Sequence, residues 1–287
     1  VTSPAPLAEA LAAQAAYQAA PALTLLPGGA AGAALSLAER QAQARLRIAS
    51  TTLRLVTGEY AAVADPRDPE AIAAAARATF RLIQGGQSAT ANSTAAYLRA
   101  VLSQITSRHI AVTAAVAGTI ALGATLRKVT DPESVYYRAF EQWRYARSIG
   151  APEPEAKAAG LDRLERQVSN DLGMAMRSAA YEVLDGTDEA IGYRRLVRPE
   201  MTSGGPCGLC LVAADRLYRT SELMPLHTHC ACDVMPVTRE HDPGRELNTD
   251  DLFRIYEVAG SNRATDLAKV RVRVTDHGEL GPVLRAA

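Results

Sequence analysis

Pro206-Cys207-Gly208-Leu209-Cys210, and further on Pro225-Leu226-His227-Thr228-His229-Cys230-Ala231-Cys232, together hold all four cysteines of the chain and two of its five histidines. A Cys-x-x-Cys turn brings two sulfurs close enough to grip one ion, and a His-x-x-Cys-x-Cys run about twenty residues on supplies donors for the other half of a tetrahedron. These are the ligand types and the spacing of a zinc site. Cys207 and Cys210 form the first half. In the second half His227 and Cys230 form a His-x-x-Cys knuckle, and Cys232 is the natural substitute for either. His229 adjoins Cys230 and must point elsewhere if its neighbours bind. With Cys207, Cys210, His227, Cys230 and Cys232 competing for four places, the expected Zn2+ site is closed and structural, because a catalytic zinc keeps one position open for water.

The rival readings of the cysteines fit less well. Disulfides need an oxidising compartment, and no signal peptide is expected, since no basic region precedes an apolar run at the N-terminus. A redox Cys-x-x-Cys normally follows a strand in a βαβ unit, a pattern missing before Cys207. The zinc deaminase signature matches at Pro206-Cys207-Gly208-Leu209-Cys210 but lacks the His-x-Glu that should precede it.

Working outward, Tyr193-Arg194-Arg195-Leu196-Val197 alternates as a strand and leads through a polar linker into the first cysteine pair. Leu217–Arg219 and Asp233–Val237 are the other strand candidates, and a sheet this small buries little apolar surface, so a metal is expected to hold it. Strand, Cys-x-x-Cys, polar hairpin, Pro-Leu-His-x-x-Cys-x-Cys and a short strand ending at Pro236 resemble the C-terminal module of the MuF-like phage head morphogenesis proteins. That family usually has Pro-Asn where Thr228 and His229 stand, and Arg where Ala231 stands. The resemblance covers roughly Leu161 to Val237, and Val274–Leu284 resembles the tail of such proteins in actinobacterial phages. It implies a structural minor capsid protein that lies in the virion, in the capsid interior near the portal vertex. Its implied partners are the portal protein and other head proteins, with packaged DNA nearby but not specifically bound, and no membrane in the mature head. Its implied role is in head assembly or genome ejection. Some actinophage relatives are labelled capsid maturation proteases, so that activity is the first alternative. No Gly-x-Ser-x-Gly elbow, His-Glu-x-x-His or phosphate loop marks a catalytic residue, and no enzyme is expected.

A second alternative, a zinc-containing nucleic-acid-binding protein, meets the charge distribution. The chain has 31 basic and 31 acidic residues, and the balance holds to within one residue in Val1–Ile191, Gly192–Glu240 and His241–Ala287. A protein that displaces counterions from phosphates needs a basic excess somewhere. Aromatics are sparse and alanine is abundant, which favours helix. At 287 residues the chain is long enough for one or two domains with a sizeable core.

Helical periodicity dominates the first two thirds. Pro4–Ala20 reads as a short helix, Pro21–Gly32 as a linker, and Ser36 as the cap of a helix reaching Ala62. Asp65-Pro66-Arg67-Asp68-Pro69 is a stop and restart, with Asp68 capping and Pro69 in the first turn. The next helix is expected to end at Gly85-Gly86, and Ser88–Leu126 to form one or two more, with Ile105, His109, Val112 and Val116 on one face and His109 at a helix contact. Ile110–Leu126 carries no charge over 17 residues, but its Ala, Thr and Gly content suits a buried bundle helix better than a membrane span. Thr130-Asp131-Pro132-Glu133 opens a helix on which Tyr136, Phe140 and Trp143 share one face, as core or as an anchor for a partner. Glu155–Leu184 is a long helix striped by Leu161, Leu164, Val168, Leu172, Ala175 and Ala179, ended by Asp185-Gly186. His241-Asp242 falls in a polar, exposed loop. Asn248–Ala259 reads as a last helix and Lys269–Val274 as a strand.

The expected fold is therefore mainly α. An extended Ala-rich helical domain with long helices (1–190) precedes a small zinc-stapled α+β module of MuF-like type (191–240) and a C-terminal tail (241–287).

Overall fold

The computed structural model describes residues 29–110, 133–198, 208–214, 216–220, 232–242, 255–277 and 281–286. The chain is mainly helical, with α1 Gly29–Ala62, α2 Pro69–Thr106, α3 Ser134–Ser148 and α4 Glu153–Asp185. Strand β1, Gly192–Leu196, is followed by the short helix α5, Gly208–Ala214, and by β2, Asp233–Val237. A helical turn at 255–259, the helix α6, Ala264–Leu267, and a hairpin of β3, Val272–His277, and β4, Gly281–Ala286, complete the described elements. Both sheets among the described residues are antiparallel pairs. The stretches Pro4–Ala20 and 111–126 lie outside the described residues. Among the described residues no helix is long and apolar enough to cross a membrane.

Two compact units divide the chain. The first comprises Val1–Pro21, Gln43–Ala96 and Thr113–Ala179, and the second Ala22–Ala42, Tyr97–Val112 and Ala180–Ala287.

The first unit has an aromatic core. Tyr136, Phe140 and Trp143 bury their common face of α3 against Tyr60, Ile72, Ile83, Leu164, Val168 and Leu172, so the core reading of that stripe holds, while Tyr145 is 59% exposed. Tyr60 stacks on Phe140 with ring centroids 5.0 Å apart, and its hydroxyl donates to the Lys157 carbonyl at 2.9 Å. Burial first, and the Glu153 charge second, push that phenol above its usual value. Trp143 Nε1 donates to Glu153 at 2.9 Å, and Lys157 Nζ lies 5.0 Å from the indole centroid. Asp68 caps α2 as its position predicts, its Oδ1 accepting from Glu70 N at 3.0 Å and Ala71 N at 3.1 Å.

Several expectations need correcting. Helix α1 begins at Gly29, so Ser36 lies inside it; the Ala30–Ala34 run is a better helix former than the glycines are breakers. Helix α2 runs straight through Gly85-Gly86 to Thr106. There a Cβ on Gly86 would stand 2.5 Å from Thr52 Oγ1 and 3.0 Å from Leu172 Cδ2, so the glycine admits neighbouring side chains and does not end the helix. Helix α2 ends before His109, with Ser107 at φ 53°, and His109 is exposed. The strand expected over Lys269–Val274 instead spans Val272–His277, because Lys269 and Val270 donate back to Asp266 O and Leu267 O in a turn that closes α6.

In the second unit β1 pairs with β2 from Gly192↔Val237 to Leu196↔Asp233, and Tyr218 bridges to Tyr193 on the other side of β1. Both strands are buried along their whole length. Tyr97 of α2 covers the pair, its hydroxyl donating to Val234 O at 2.9 Å. The arginines of β1 are accommodated by partners. Arg194 donates from Nε and Nη2 to both Asp242 carboxylate oxygens, at 2.7 and 2.6 Å, and Arg195 lies over the Tyr218 ring at 4.7 Å. His241-Asp242 is exposed, as expected of a polar loop.

Candidate metal centre

Helix α5 carries Cys210, and its first residue explains how it is seated. The Gly208 N–H donates to Val270 O at 3.0 Å, and a Cβ there would meet Ile255, Val270 and the Leu267 carbonyl, each at 3.1 Å. Leu211 follows into a small core with Ile255, Leu267 and Val270. Cys232 comes from the other side, immediately before β2. Cys210 and Cys232 are 5% and 4% exposed and form one buried cluster, with Val197 and Leu209 packed against it.

Thus one sulfur from each half of the motif reaches the same place. Cys207, His227, Cys230 and the spare donor His229 lie outside the described residues. Among the described residues no group of three His, Cys, Asp or Glu gathers to hold an ion. The two cysteines that are described fit a closed thiolate site: they are buried, they come together across 22 residues of chain, and their apolar surroundings exclude solvent.

No protein-family model, curated protein or solved structure matches this chain.

One feature of the site escaped the sequence reading. Arg198 Nε donates to Asp233 Oδ2 at 2.9 Å, with side chains 11% and 2% exposed. Asp233 directly follows Cys232, and Arg198 directly follows Val197, which packs on the cysteines. The available sequence signal was an acid at the start of a strand candidate, next to a candidate ligand. Elsewhere in this unit a cleft of about 330 Å³ is lined by Ile105, Thr106, Arg108, Asp188, Glu189 and Thr238–Glu240. Arg108 Nη1 donates to Glu189 Oε1 in it at 2.7 Å, which gives it mixed charge.

Proposed function

We propose that the chain is a structural minor capsid protein of a tailed phage, of the MuF-like head morphogenesis type. In this reading it is associated with the portal inside the head and takes part in head assembly or genome ejection. Its C-terminal module is stapled by one zinc ion. The observation that carries the reading is the common burial of Cys210 and Cys232, which supports treating the two cysteine runs as halves of one centre. Cys207, Cys210 and His227 would hold the ion, with Cys230 or Cys232 completing the tetrahedron. When bound, zinc supplies a crosslink between two distant turns. The residues do the rest: Val197 and Leu209 shield the sulfurs, Gly208 seats the first turn, and β2 carries the second.

The balanced charge favours packing against protein over binding phosphates. In virions purified from the phage that encodes the chain, mass spectrometry is expected to find it in heads together with the portal protein, and metal analysis to find zinc in proportion to it. Absence from heads sinks the assignment. Failure of major capsid protein processing in a phage lacking the chain would instead favour the maturation protease.

A further inference from the structure

We infer that the buried Arg198–Asp233 ion pair positions this centre, and that Cys232, rather than Cys230, is the sulfur it presents to the ion. The inference rests on the zinc reading above and deepens it. Three consecutive residues grip the Cys232 turn in three ways. Leu196 faces Asp233 across the β1–β2 ladder. Val197 packs against the Cys210–Cys232 cluster. Arg198 closes over the top, its Nε 2.9 Å from Asp233 Oδ2. Cys232 is therefore bracketed on its C-terminal side by a ladder position, an apolar contact and a charge-assisted hydrogen bond.

Cys210 is held independently, two residues beyond the Gly208 N–H bond to Val270 O. Two sulfurs fixed by separate supports and buried in one cluster have the preorganisation that a closed metal site needs. Apolar residues of similar volume often hold such strands as well as a buried ion pair does. What the pair adds is a fixed direction for the residue beside the ligand.

Titration of the full chain with Zn(II) and Co(II), with helix content followed by circular dichroism on the same samples, tests this. Cys232→Ser is expected to remove one thiolate's share of the sulfur-to-cobalt absorption, and Cys230→Ser to leave it at the wild-type level. Asp233→Asn and Arg198→Gln are each expected to weaken Zn(II) binding by roughly 10–100-fold at unchanged helix content. Arg198→Lys, which keeps the charge, is expected to recover part of that loss. Absorption lost in Cys230→Ser and kept in Cys232→Ser overturns the ligand assignment. Wild-type affinity in both Asp233→Asn and Arg198→Gln overturns the positioning role. A wild-type chain that takes up neither metal removes the zinc reading itself, an outcome distinct from the other two.

Discussion

Gly58 of α1 and Gly86 of α2 are both interior to helices, yet a methyl group at each meets different surroundings. At Gly58 a Cβ finds nothing within 4 Å and the position is exposed. Gly58→Ala should therefore stabilise the protein by about 0.5–1 kcal/mol through helix propensity. At Gly86 the same propensity gain opposes a collision with Thr52 and Leu172. Thr52 is buried, and both its Oγ1 and its Cγ2 crowd the added methyl. Overpacking typically costs about 1–3 kcal/mol, so Gly86→Ala should be destabilising on balance. Urea unfolding of the two variants checks both signs. Equal stabilisation of the two would mean that Gly86 is not a close-approach position and that its role in α2 has been misread.

At the scale of elements, the start of α2 rests on a cap that can be removed without touching the core. Asp68→Ala deletes the acceptor for two first-turn N–H groups and is expected to cost about 0.5–2 kcal/mol, whereas Asp68→Asn should retain most of it. A thermal melt showing no difference between the two variants would count against the cap. This boundary was legible in sequence because capping is local: Asp68, Pro69 and the first-turn donors lie within a few residues. The stripe Leu164, Val168, Leu172 was legible for the same reason, as was β2 with its bounds, Asp233–Val237. Gly85-Gly86 was misread because glycine next to glycine is a local stop signal, while its use here is set by Thr52 and Leu172, far away in sequence. Strand β1 was found but its environment was not. Alternation in Tyr193-Arg194-Arg195-Leu196 does not show that Asp242 and Tyr218 meet its arginines, or that Tyr97 bonds to Val234 on the paired strand. The site divides in the same way. Cysteine spacing points to candidate ligands, but the tie from Arg198 to Asp233 spans 35 residues and leaves no periodic trace.

For the whole molecule, the proposed zinc would give the two units different sources of stability. The first has a continuous core in which Tyr60, Tyr136, Phe140 and Trp143 meet the aliphatic stripes of α2 and α4, and burial of that kind needs no ion. Among the described residues around the cysteines of the second, the apolar groups form small clusters: Leu211, Ile255, Leu267 and Val270 in one, Cys210 and Cys232 in another. Cores of this size are marginal without a crosslink. If one zinc ion joins the cysteine turns, removing it should open the protein regionally. A strong chelator at neutral pH is expected to erase amide protection in β1, α5 and β2 while α3 and residues 43–96 keep theirs, so that the far-ultraviolet helix signal falls only slightly. Hydrogen exchange read by mass spectrometry separates the alternatives. Unchanged exchange across 191–242 would mean that packing and the arginine–aspartate pairs suffice without metal. Loss of protection throughout both units would mean that the core of the first is not self-sufficient. If the cysteine turns do share an ion, regional opening follows because, among the described residues, the apolar clusters beside those turns are small.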